Sequence, residues 1–214
     1  MNRLFTIFIS LLIFSCENQS NVATQADSVE NEEEECVCTT PTAYIHFIPY
    51  GDVKTEELNK LKQQVAERLD TMIYGCFTYD VVPKREFLQK YKSTVKKGRY
   101  RADKVLHDLN KEAKTYDLFV GVTHEDICLD YKNKKDWGVL GLAFRPSHAC
   151  IVSTHRIRNP KRDLWKVTIH EILHALMGYP HCPSNNPNCI MKDANGHADF
   201  RNKVDLCKDC KRSF

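Results

Sequence analysis

His170 and His174 stand four residues apart, with Glu171 beside the first, inside the run HEILHALMGYPHC of residues 170–182. On an α-helix that spacing puts both imidazoles on one face, where they can meet a single metal ion with Glu171 next to it. Catalytic zinc usually takes three protein ligands and keeps its fourth position for water, so a third donor has to come from beyond the helix. His181 is the candidate. Such a centre performs hydrolysis: the ion lowers the pKa of water and polarises a carbonyl, while Glu171 serves as general base and then hands the proton to a leaving amine. A peptide bond is the expected target. The alternative, two histidines that merely line an amphipathic helix, leaves the ligand types downstream without a purpose.

The helix that holds these residues must start and stop at definite places. Asn159-Pro160 supplies a side-chain cap and a first-turn proline. Gly178 can take the left-handed conformation that closes a helix, and Pro180 cannot continue it, so the chain is expected to turn there and bring His181 back.

Cys182, Cys189, Cys207 and Cys210 form a second constellation, a pair flanking a short loop followed by a CxxC pair. Four thiolates at this spacing suit a closed tetrahedral zinc site that stabilises the fold and does no chemistry. Two disulfides are the competing reading if the protein is exported. Met191, two residues after Cys189, is by itself an ordinary core residue.

Taken together, HEILHALMGYPHC, then CPSNNPNCIM, then CKDC resemble the archaemetzincins, whose pattern is an extended zinc motif, a CxM turn and a terminal CxxC. The segment Tyr44–Gly51 resembles the family's opening strand and residues 137–153 its central strands, so the likeness covers about the last four-fifths of the chain. The resemblance implies His170, His174 and His181 as catalytic zinc ligands, Glu171 as general base, Met191 as the Met-turn beneath them, and the four cysteines as ligands of a structural zinc. Two Zn2+ ions per chain follow. In the family's pattern a glycine lies three residues after the second histidine and the third histidine three beyond that. Here Met177 fills the glycine slot, and Gly178 and His181 each lie one residue late. One added helical residue swings the exit by about 100°, so either the loop compensates or the catalytic zinc is lost. The loop from Cys182 to Cys189 is longer than in the pattern, and the stretch from Met191 to Cys207 shorter.

At the N-terminus, Arg3 precedes an apolar run from Leu4 to Phe14, too short to span a bilayer comfortably and placed like a signal peptide's apolar region. Ile13-Phe14-Ser15-Cys16 looks like a bacterial lipobox, in which Cys16 is acylated; an ordinary signal peptide with a free Cys16 is the alternative. Residues 1–15 then read as signal peptide, 16–40 as an acidic flexible tether, and 41–214 as the catalytic domain with a Cys-rich zinc subdomain at 182–214. The expected localisation is extracytoplasmic, as a bacterial lipoprotein held to the lipid bilayer through Cys16.

The formal charge of +3 conceals an asymmetry: residues 1–35 hold one arginine and seven acids, leaving 30 basic and 21 acidic residues, or +9, from Cys36 onward. The densest basic run, Lys84 to Lys104, lacks any recognition motif and reads as solvated surface, so no nucleic-acid partner is expected. Outside Cys16 and the four proposed ligands, Cys36, Cys38, Cys76, Cys128 and Cys150 remain; five cannot all pair within one chain.

Element patterns complete the reading. Tyr44–Pro49 suits a short strand, and Lys54–Asp70 a helix burying Leu58, Leu61, Val65 and Leu69. Ala102–Lys114 suits a second helix; Asp117–Thr123, Trp137–Phe144 and Ala149–Thr154 suit strands. The fold class expected is α/β (α+β), a metzincin-like mixed sheet with packed helices, in a monomer. Gly138–Phe144 reads either as an edge strand that receives an extended peptide or as an ordinary core strand. The leading function is a zinc metallopeptidase acting on peptide or protein substrates. The rivals are a membrane-anchored zinc-containing binding module without turnover, and a disulfide-stapled surface protein without metal.

Overall fold

Strict alternation shapes the first strand: Ala43, Ile45 and Phe47 face one core, and Ile48 and Tyr50 the other. The computed structural model describes residues 41–184, 186–194 and 200–212. The expected signal peptide, Cys16, the expected tether, Cys36 and Cys38 lie outside the described residues. In chain order the elements are β1 (Ala43–Pro49), α1 (Thr55–Met72), β2 (Phe77–Val81), β3 (Arg99–Arg101), α2 (Ala102–Glu112), β4 (Asp117–Thr123), β5 (Asp126–Tyr131), β6 (Lys134–Val139), β7 (Gly141–Ala143), β8 (Ala149–Ser153), α3 (Pro160–Met177) and α4 (Lys208–Lys211).

The main sheet has strand order β2-β1-β4-β8-β7. Its first four strands run parallel, and β7 lies antiparallel to β8 at the edge. This is the mixed sheet with packed helices that the element pattern implied. One face carries α1 and α3. Leu58, Leu61, Val65 and Leu69 of α1 and Ile169, Ile172 and Leu173 of α3 pack there on Leu118, Val120, Val122 and Val152. Each such fully buried side chain contributes roughly 1.5–3 kcal/mol, so the α1 row alone outweighs that helix's lack of a side-chain N-cap. The other face carries α2, whose Ala102, Val105, Leu106 and Leu109 meet Ile48, Ala149 and Ile151. A smaller sheet, β3-β5-β6, flanks α2.

The run Trp137–Phe144 departs from the sequence expectation of one strand. Lys134–Val139 pairs with β5 in the small sheet, while Gly141–Ala143 pairs with β8 in the large one. The chain changes sheets at Leu140, whose carbonyl still accepts a hydrogen bond from Ser153 N–H at 2.8 Å. Both halves lie at sheet edges, and the second is the one that borders α3. Strands β5 and β2 carry no strong sequence signal and lie outside the expected elements; β2 alternates intermediate and exposed positions at the opposite edge of the large sheet.

The basic run closes on carboxylates. Arg99 binds Asp126, Arg101 binds Asp103, Asp130 and Asp136, Arg85 binds Glu112, and Lys90 binds Asp108. No helix among the described residues is long and apolar enough to cross a membrane.

Candidate metal centre

The helix α3 is built at both ends as its sequence requires. Asn159 caps it, its side chain accepting from Arg162 N–H at 3.3 Å, and Pro160 opens the first turn. Gly178 closes it with φ 64°, and its N–H bonds His174 O at 3.1 Å. The helix thus runs through Met177 before turning, one residue later than the family pattern. The turn folds the chain back, so that the carbonyl of Tyr179 accepts a 2.5 Å bond from Nδ1 of His174. His181 follows at once.

The structure brings His170, His174 and His181 together. Each offers one ring nitrogen within 4.8 Å of the others. The Nε2 atoms of His170 and His174 are 3.0 Å apart, close to the roughly 3.4 Å edge of a tetrahedron with metal–nitrogen bonds of about 2.1 Å. The other face of each ring is held. His170 donates Nδ1–H to Ile190 O at 2.8 Å, and His181 Nδ1 lies 3.5 Å from the carboxylate of Asp193. Because a carbonyl can only accept, His170 and His174 carry their protons on Nδ1 and present Nε2 lone pairs to each other, the tautomer a metal needs. Burial, reinforced by repulsion from His174, pushes His170 down to about 3, and burial pushes His174 to about 4 and His181 in the same direction. All three rings are therefore neutral and ready as donors at ordinary pH. His174 is buried, whereas the His181 side chain is 43 % exposed.

Glu171 is 7 % exposed and packs against Gly141 of the edge strand. Burial pushes its carboxyl up to about 8, opposed by the guanidinium of Arg145. A carboxylate with raised proton affinity beside a histidine cluster is suited to accept a proton from water.

Below this cluster, Met191 is completely buried and its carbonyl accepts from Cys182 N–H at 2.8 Å. The four downstream cysteines converge with sulfurs within 4.8 Å of one another. The Cys182–Cys207 and Cys189–Cys210 distances are both 3.6 Å, far longer than a disulfide's roughly 2.05 Å and close to the roughly 3.8 Å edge of a tetrahedral site with metal–sulfur bonds of about 2.3 Å. These four cysteines are thiols and form no disulfide. Burial works against ionising Cys207, yet the backbone N–H of Cys210 and the hydroxyl of Ser184 bring it down to about 6. Thiolate character at one member suits this set to a soft metal ion.

Sequence reasoning had no access to several participants. The carbonyls of Tyr179 and Ile190 orient the imidazoles whatever side chains those residues bear. Arg145, in the exposed loop after β7, faces the field of Glu171, His174 and His181. Gly141 becomes visible only when β7 is seen against α3.

No family model matches the chain. Curated relatives do. The archaemetzincin of Methanopyrus kandleri is 29 % identical over 136 residues, 61 % of this chain and 74 % of the relative. That of Halobacterium salinarum is 25 % identical over 184 residues, 79 % of this chain and 98 % of the relative. Among solved structures, the archaemetzincin of Archaeoglobus fulgidus superposes with a TM-score of 0.62 at 22 % identity, covering 80 % of this chain and 99 % of that one. The Methanopyrus kandleri structure gives a TM-score of 0.62 at 24 % identity, covering 83 % of this chain and 96 % of that one. The fold agreement over nearly the whole length of these proteins joins the sequence likeness to the curated relatives: the chain shares the archaemetzincin fold and is similar to archaemetzincins in sequence.

Proposed function

We propose that this zinc metallopeptidase hydrolyses peptide bonds at the histidine cluster, with Glu171 as its general base and the four cysteines holding a second, structural zinc. The observation that carries the reading is the pair of main-chain anchors on His170 and His174, which fix both rings with Nε2 facing inward. His170, His174 and His181 would hold one ion, and Cys182, Cys189, Cys207 and Cys210 the other. Zinc bound at the histidines supplies Lewis acidity and lowers the pKa of water.

The chain's own residues do the rest. The free edge of β7 binds the main chain of an extended peptide and lays its scissile bond beside Glu171. Glu171 receives the proton of the attacking water and gives it to the departing amine. Met191 packs under the ligands as a Met-turn. The domain is displayed outside the cytoplasm through acylated Cys16, a reading supported by the apolar run Leu4–Phe14, the lipobox-like residues before Cys16 and the polar stretch after it. No observation at the site favours a binding module without turnover.

Zinc content and hydrolysis of a fluorogenic peptide library test this together. The purified domain is expected to hold two zinc ions per chain, and Glu171→Ala to retain both while kcat falls roughly 10²- to 10⁴-fold. Unchanged hydrolysis in that variant sinks the general-base assignment.

A further inference from the structure

Gly141 opens the edge strand β7, and α3 packs directly across it. A Cβ at this position would lie 2.7 Å from Cγ, 2.8 Å from Oε1 and 3.0 Å from Cδ of Glu171. The backbone here does not adopt the left-handed region, so chain geometry does not demand glycine. What demands it is the Glu171 side chain, which fills the volume a methyl group would take. The colliding atoms are the outer half of a side chain and not backbone, so an added methyl would move the carboxylate and leave the strand in place.

The register gives the same residue a second property. Ser153 N–H bonds Leu140 O, which makes Leu140 and Ser153 a hydrogen-bonded pair in the antiparallel ladder. Gly141 and Val152, the next opposed residues, are then a non-hydrogen-bonded pair, and the N–H and C=O of Gly141 point away from β8 toward the free edge. One residue offers its peptide groups to the edge where an extended chain can add, and its bare Cα to the Glu171 carboxylate.

We propose that Gly141 is a positioning residue, whose missing side chain sets the Glu171 carboxylate at a fixed distance from a peptide main chain bound along β7. The proposal rests on the reading of Glu171 as general base. The glycine is the gauge between base and substrate, since both are measured from the same backbone atoms.

The test is a double-mutant cycle in the zinc-loaded protein with Gly141→Ala, Glu171→Ala and the double variant, read by zinc content, melting temperature and peptide hydrolysis. Gly141→Ala is expected to keep its zinc and to lower kcat about 100-fold, the scale of a displacement near 1 Å, with KM within about twofold because the edge peptide groups remain. Its melting temperature should fall when Glu171 is present and recover when it is combined with Glu171→Ala, where the methyl group has room. Equal melting penalties in both backgrounds, or a rise in KM with kcat intact, overturn the role of Gly141. If the melting coupling is present but Glu171→Ala hydrolyses normally, the base assignment falls and the catalytic role of Gly141 falls with it.

Discussion

The two side-chain clusters of this chain sit next to each other and are built on opposite plans. The histidine cluster has three donors, graded from the buried His174 to the half-exposed His181, with the buried carboxyl of Glu171 alongside. The cysteine cluster has four donors, three of them buried, and no acid or base among them. Four donors close a tetrahedron, whereas three leave a position where chemistry can occur. On the proposed function, donor count and access, more than the elements that carry the donors, separate a scaffold from a reaction centre.

The comparison breaks most visibly at its ligands. His174→Ala should remove one zinc per chain and all detectable hydrolysis while leaving the melting temperature nearly unchanged. Cys210→Ala should remove the other zinc and expose residues 182–212 to protease, since binding free energy at small closed zinc sites, about 10–16 kcal/mol, is folding free energy. If both variants lose stability equally, the two clusters are not different in kind.

A smaller effect is expected where the two regions are tied. Lys166, buried on α3, donates to the carbonyls of Phe200 at 2.5 Å and Arg201 at 3.2 Å and pairs with buried Asp163 at 3.3 Å, joining the active-site helix to the segment that leads to Cys207. Arg162 above all, with Lys166 behind it and against the penalty of burial, holds the Asp163 carboxyl below its ordinary range. Because the folded value lies under the unfolded one, near 3.9, this contribution is fully present above about pH 4 and is lost as pH falls further. Asp163→Asn should cost about 3 kcal/mol at pH 7, since Lys166 keeps its two carbonyl partners, and should flatten the fall in melting temperature between pH 4 and pH 3. An unaltered acid profile would show that the tie bears no charge-dependent load.

The smallest effect belongs to the helix end. Gly178→Ala forces a side chain into the left-handed region and should cost about 1–2 kcal/mol in denaturant unfolding, with Gly178→Asn milder. If alanine is tolerated freely, the turn that delivers Tyr179 O and His181 does not depend on this conformation.

The parts legible in the sequence are those in which side-chain identity carries the function. The cap at Asn159, the stop at Gly178, the i and i+4 histidines and the CxxC pair all stand at expected places because local chemistry determines them. The run Trp137–Phe144 misleads because two segments in different sheets share one apolar pattern, and periodicity does not register a change of partner. The anchors of His170 and His174 are invisible for a different reason: they are main-chain carbonyls, brought near by tertiary folding. The late position of His181 illustrates both. Counting residues along an ideal helix puts its delivery in question, and the fold answers with a turn at Gly178 and a pinned return.

That pinning bears on how the chain can vary in length. Cys182 N–H is bonded to Met191 O, and Ile190 N–H to Asp205 O, so the connection between Cys182 and Ile190 is pinned at both ends by main-chain bonds to residues outside it. Insertions within the loop change neither the spacing of His181 and Cys182 nor the aim of Ile190 O at His170, and loop closure grows costlier only slowly with length. A single residue added between Cys189 and Met191 would instead rotate that carbonyl away from the ring. Relatives should therefore differ freely in the first place and not at all in the second.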